Sequence, residues 1–102
     1  MVSVIIKKSP KKEKKLRAIF TYDNGNKMYI DFGATGYMDY ILYYKKDVTN
    51  ANKRKKAYLK RHRPNENWND YMSAGSLSRW ILWNKPTLHQ SLTNYKNKFN
   101  LK

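Results

Sequence analysis

Two runs of alternating residues meet at an Asn-Gly pair in the first third of this chain, and that arrangement restricts the fold more than any other feature. Leu16, Ala18, Phe20 and Tyr22 fall on one side, with Arg17, Ile19 and Thr21 on the other. After Asp23-Asn24-Gly25-Asn26 the alternation resumes, with Met28, Ile30 and Phe32 opposed to Lys27, Tyr29 and Asp31. Strand side chains point alternately to the two faces of a sheet, so each run presents one apolar face. The favoured two-residue hairpin turn needs positive φ at both central positions, and Asn-Gly meets that demand. The spacing predicts an antiparallel β-hairpin.

The other elements follow from propensity, caps and breakers. Val2 to Ile6 is a short apolar stub that could pair as an edge strand, followed by a lysine tract broken at Pro10. Residues 1–15 read as a flexible basic arm and residues 16–102 as a single small globular domain. Gly33-Ala34-Thr35-Gly36 ends the second strand, and Tyr37 to Tyr44 favours a third strand by propensity. Asp47 or Thr49 caps a helix running to about His62, with Ala51, Ala57, Tyr58 and Leu59 facing inward and Pro64 as its stop. Ser73 or Ser76 caps a helix over Ser76 to Trp83 that carries Leu77, Trp80 and Ile81 on one face. Beyond Asn84-Lys85-Pro86, with Pro86 near its first turn, Leu88, Leu92, Tyr95 and Phe99 form the stripe of a last amphipathic helix. The expected class is α+β: an N-terminal antiparallel β-hairpin or three-stranded meander packed against two or three C-terminal helices.

Charge is segregated along this framework. The chain carries +15 over 102 residues, and two stretches supply +14 of it. Residues 7–17 hold Lys7, Lys8, Lys11, Lys12, Lys14, Lys15 and Arg17 against Glu13; residues 45–63 hold Lys45, Lys46, Lys53, Arg54, Lys55, Lys56, Lys60, Arg61 and Arg63 against Asp47. A fold does not require such segregation, and self-repulsion opposes it unless a polyanion is present. These sixteen cations are the candidate nucleic-acid-binding residues, and the expected partner is nucleic acid, double-stranded DNA first. An anionic membrane surface or an acidic protein stands behind it. Lysine outnumbers arginine in both stretches, so affinity is expected from phosphate neutralisation rather than base reading. Tyr22, Tyr29, Tyr37, Tyr40, Tyr43 and Tyr44 could stack exposed bases, or could serve the core.

The residues for catalysis do not cluster in the sequence. Cysteine is absent, which excludes disulfides, thiolate zinc sites and cysteine nucleophiles. His62 and His89 have no neighbours of metal-ligand type and read as surface groups. Asp23, Asp31, Asp39 and Asp47 fall eight apart and read as turn residues and lysine partners rather than a metal-binding set. The Gly33–Gly36 segment lacks the Lys-Ser/Thr ending of a phosphate loop. The expectation is a non-enzymatic protein with no cofactor, no metal and no small-molecule substrate. The opening VSVII run is too short for a signal peptide or a membrane span, so the protein is expected to be soluble and not secreted. Arg79, alone among its apolar neighbours, could pair with Asp70 or Glu66 or clamp a phosphate.

FGATGYMDY (residues 32–40), KRHR (60–63), ENW (66–68) and above all SAGSLSRWILWNKPTL (73–88) resemble an uncharacterised family of small basic proteins of nucleocytoplasmic large DNA viruses. The resemblance spans roughly residues 16–99. It departs from the family pattern at DYILYYKKDVTNANKRKKAYLKRH, where the family has a shorter link, and this leaves the start of the basic helix open. It implies a protein of the virion or of the virus factory or nucleus of the host cell. That source suits either an architectural DNA-condensing protein or a structural or adaptor part whose basic face contacts capsid, membrane or core components.

Overall fold

The computed structural model describes residues 1–102 and has an α+β fold, a three-stranded antiparallel sheet followed by helices. The alternating runs become β2 (Lys14–Thr21) and β3 (Lys27–Ala34), with Arg17 opposite Asp31, Ile19 opposite Tyr29 and Phe20 opposite Met28. Ala18, Phe20 and Phe32 are fully buried on the inner face, as the alternation requires. The turn is longer than the expected two residues. Thr21 opposite Lys27 is the last pair, and between them Gly25 alone has positive φ, at 88°. The Gly25 N–H donates to the Tyr22 carbonyl, while the Asn24 side chain accepts from the Asn26 N–H. Asn24 therefore shapes the turn as a side-chain acceptor and not through a left-handed backbone.

The third strand lies at the other end of the sheet from the one expected. β1 (Ser3–Lys8) pairs antiparallel with β2 from Ser3 opposite Thr21 to Lys8 opposite Leu16, giving the order β1-β2-β3. The stub at Val2 to Ile6 is an edge strand, and it continues through Lys7 and Lys8, which leave their ammonium groups in solvent while their backbones complete the ladder. Val4 joins the core. The link from β1 to β2 is tied down as well: Ser9 Oγ donates to Asp31, and Thr35 Oγ1 donates to the Lys12 carbonyl. Residues 1–15 thus belong to the sheet and its first turn and are not set apart as an arm. The far edge of β1 is covered in part by Lys102, which exchanges backbone hydrogen bonds with Val2 and Val4. Asn100, at φ 55°, makes the left-handed turn that brings the tail there.

Residues 37–44 are not a strand. Gly36, at φ 86°, turns the chain out of β3, and Asp39 caps α1 (Tyr40–Lys46) by accepting from the Leu42 N–H. The cap outweighs the β propensity of the tyrosines, whose helical spacing brings Tyr40 and Tyr44 edge to face at 5.6 Å. Asp47 caps α2 (Val48–His62) in the same way through the Asn50 N–H, and a short 3₁₀ turn, Arg63–Asn65, carries Pro64. Ala51 and Tyr58 are buried on α2 and Leu59 is half-buried, but Ala57 is exposed, because it lies about 100° around the helix from Tyr58.

Ser73 caps α3 (Ala74–Leu77), which widens into a π-helical turn, Ser78–Leu82. Together they form the helix expected over residues 76–83. The last helix, α4 (Leu88–Phe99), is capped by Thr87, so Pro86 precedes the cap. Leu92, Tyr95 and Phe99 pack on the core; Leu88, at the first helical position, is exposed, and the buried Ser91 bonds to the Lys85 backbone instead.

One core unites the sheet with the C-terminal helices: Val4, Ala18, Phe20, Phe32, Leu77, Ile81, Leu82 and Tyr95. Burying such side chains stabilises by roughly 1.5–3 kcal/mol for each large one. Gly33 lets β3 approach this core, since at φ 78° a Cβ there would lie 2.7 Å from Leu82 Cδ1. Gly33→Ala is expected to lose about 2–3 kcal/mol, combining the left-handed penalty with displacement of Leu82. Gly25→Ala, at φ 88° with nothing nearby, should lose only the first part, about 1–2 kcal/mol. Urea denaturation of the two variants separates the contributions, and equal losses would contradict the close packing at Gly33.

Candidate nucleic-acid interface

α2 is rich in lysine, arginine and alanine, all good helix formers, yet no acidic residue falls within it. Like charges three and four residues apart repel, so this helix depends on its anchorage to the body. The anchor is aromatic. The Tyr58 ring stacks on Trp83 at 4.4 Å with the planes 4° apart, and the His62 ring stacks on Tyr58 at 4.3 Å. Tyr40 Oη donates to Asn52, and Lys55 Nζ donates to the Asn84 carbonyl at 2.6 Å. Burial, with Arg79 and Lys85 nearby, lowers the Lys55 pKa, which marks it as a structural cation rather than a free one.

The outer side of α2 is left to solvent. Lys53, Lys56 and Lys60 follow one another at spacings of three and four, and Arg63 follows three residues later, so the four share a stripe along one flank. All four are exposed and none forms an ion pair. Arg54 and Arg61 are exposed on the other flank, Arg54 with its guanidinium 5.5 Å from the Tyr43 ring centre. Lys45 and Lys46 close α1 in solvent. From this stretch, only Lys55 is withdrawn from the face.

The N-terminal stretch is less open than its charge suggests. Arg17 makes a bidentate pair with Asp31, at 2.9 and 3.0 Å, and Lys11 stands 3.7 Å from the same carboxylate. Lys15 pairs with Asp39 at 2.8 Å. Lys7, Lys8 and Lys12 are exposed and Lys14 is half-buried, all four without ion pairs. Hydrogen bonds from Arg17 and then Ser9 hold the Asp31 carboxyl down at about 2 from its ordinary 3.8. Because the folded value is the lower one, this contribution to stability is present above about pH 4 and is lost as the pH falls toward about 2. Denaturation midpoints between about pH 5 and pH 2 should fall more steeply for the wild type than for Asp31→Asn; parallel curves would contradict the role given to Asp31.

The four aspartates serve as local structure, as expected. Asp23 meets the N-terminal ammonium, Asp31 and Asp39 take cations, and Asp39 and Asp47 cap helices. His89 is exposed, but His62 is no free surface group, since its Nδ1 lies 3.2 Å from Glu66 and its ring covers Tyr58. Tyr29 and Tyr37 are the strongly exposed tyrosines; Tyr40 is buried and Tyr22, Tyr43 and Tyr44 are half-buried. Arg79 pairs with neither Asp70 nor Glu66. Its guanidinium packs over Trp80 at 4.2 Å and Trp68 at 5.4 Å and donates to the Trp83 carbonyl. Residues 4–62, more than half of the chain, match a family of unknown function (DUF5754).

The chain belongs to DUF5754. The DUF5754 match takes in the sheet from Val4 onward, α1 and all of α2, and so includes every one of the sixteen candidate cations except Arg63. The LSRWILWNKPTL segment follows it. Comparison with curated proteins and with solved structures finds no match.

Proposed function

We propose that this chain is a non-enzymatic protein that binds and condenses DNA, largely without regard to sequence, in the particle or factory of a large DNA virus. The observation that carries the reading is the unpaired row Lys53, Lys56, Lys60 and Arg63 on a helix that is fastened to the body from its opposite side. A rigid row of cations neutralises successive phosphates and releases their counterions, which provides affinity with no base contact. Lys45, Lys46, Arg54 and Arg61 extend the charge around α2, and Lys7, Lys8 and Lys12 add a second, smaller group.

A second reading, a structural or adaptor part of the particle, draws on the outer face of the sheet. There Ile5, Ile19 and Tyr29 are register neighbours, with Ile5 57% and Tyr29 53% exposed, an apolar row suited to a protein partner. Competition separates the two. Labelled duplex DNA bound to the full chain should be displaced by duplex DNA, single-stranded DNA or RNA far better than by polyglutamate of equal charge. Equal displacement by polyglutamate would leave only a general taste for polyanions and favour the adaptor reading. No helix is long and apolar enough to cross a membrane.

A further inference from the structure

An open groove of about 780 Å³ runs between the C-terminal part of α2 and the Trp68 to Trp80 region. Lys56, Lys60, Arg63 and Arg79 line it, with Glu66 as its carboxylate. Glu66 is already engaged. One oxygen accepts from Trp68 Nε1 at 2.8 Å and the other lies 3.2 Å from His62 Nδ1. Gly75 leaves room for it, since a Cβ there would come within 3.1 Å of the carboxyl carbon. Arg79 consequently has no carboxylate counter-ion, although it is largely enclosed between two indoles, and its Nε–H is buried with no partner. A half-buried guanidinium without an anion is costly, and natural proteins seldom leave buried donors unpaired. Arg79 also sits in the π-helical turn, a distortion of the helix that recurs at functional sites.

We infer that this groove is a phosphate site: one nucleotide phosphate of a bound strand sits against Arg79, with Lys56, Lys60 and Arg63 as its further cations. The inference rests on the nucleic-acid reading and deepens it, because three cations of the exposed stripe also line the groove, where Arg79 adds one fixed position. Arginine suits that position, as its planar fork meets phosphate oxygens in pairs. Burial first, and then the neighbouring Arg63, lower the Arg79 pKa, and the negative charge of a bound phosphate would offset both. A volume of about 780 Å³ leaves space for the sugar attached to the phosphate.

The test uses the full chain and reads the three indole N–H resonances during titration with pyrophosphate and, separately, with a short oligonucleotide with or without a 5′-phosphate. The Trp68 and Trp80 signals should move, while Trp83, which stacks on Tyr58 beyond the groove, should move little. If the pocket prefers a terminal phosphate, the phosphorylated oligonucleotide acts at lower concentration; equal responses assign the site to a backbone diester. Arg79→Lys should weaken the response about ten-fold. Because Arg79 also holds the Trp83 carbonyl, Lys56→Ala with Arg63→Ala is the second variant, made at exposed positions, and it too should weaken the response about ten-fold or more. Indole signals that stay still with every phosphate, or that respond equally in the Lys56/Arg63 variant, would overturn the groove as a phosphate site. Duplex DNA binding that persists in that case removes the groove alone; its loss as well removes the reading beneath it.

Discussion

Replacing Lys53, Lys56, Lys60 and Arg63 together by alanine weakens binding to duplex DNA by roughly two to three orders of magnitude at about 0.15 M salt. The four are exposed, unpaired and on one flank of α2 and of the 3₁₀ turn that continues it, so each can meet a phosphate without giving up a partner of its own. Each phosphate left without its cation should also flatten the dependence of log affinity on log salt by about one, for a total of roughly three to four. The fold should persist. Alanine is the best helix former, and removing like charges spaced three and four apart relieves repulsion. A control variant, Lys15→Ala with Arg17→Ala, removes two charges already balanced by Asp39 and Asp31 and should change affinity much less for each charge removed. An equal loss per charge removed from both sets would mean that total charge, and not the α2 stripe, governs binding.

Tyr58→Ala should be strongly damaging, lowering stability by roughly 3–5 kcal/mol. Tyr58 is 7% exposed and is the central ring of the Trp83–Tyr58–His62 stack, so its removal leaves a cavity and breaks both stacked pairs. A domain of this size has only about 5–15 kcal/mol in total. Tyr58→Phe keeps the stack and should stay within about 1 kcal/mol of the wild type. The effect reaches function because α2, rich in like charges, relies on this anchor to hold its stripe straight. Below its melting temperature the Tyr58→Ala protein should show faster amide exchange in α2 than in β2 and weaker DNA binding than Tyr58→Phe. Unchanged exchange in α2 would contradict the anchoring role.

The sheet is legible in the sequence where one face is buried, because alternation in residues 16–32 carries the register with it. That register also places Arg17 opposite Asp31, a cross-strand pair that stays hidden while the lysine tract reads as one block of charge. β1 is half legible: Val2 to Ile6 shows a strand, but Lys7 and Lys8 obscure its length, since an exposed strand end accepts lysine as easily as an arm does. Tyr37 to Tyr44 misleads because aromatic residues favour strands only when a sheet receives them, and the Asp39 cap after Gly36 is the signal that outweighs them. The basic helix is visible from Asp47 to His62, but its division into faces is not. Lys55 looks like its neighbours in sequence, and only the three-dimensional position of Asn84 and Tyr40 turns it inward. Arg79 is the same case in reverse, since its lack of a carboxylate depends on Glu66 finding His62 and Trp68 first.

The most direct test of the central claim is the affinity of the full chain for duplex DNA across a salt series. Phosphate-driven binding by the α2 face predicts a straight, steep fall of log affinity with log salt, with a slope of about −4 or steeper and little difference between sequences. Affinity that holds in high salt and saturates at one stoichiometry would contradict it and point to a protein-type interface.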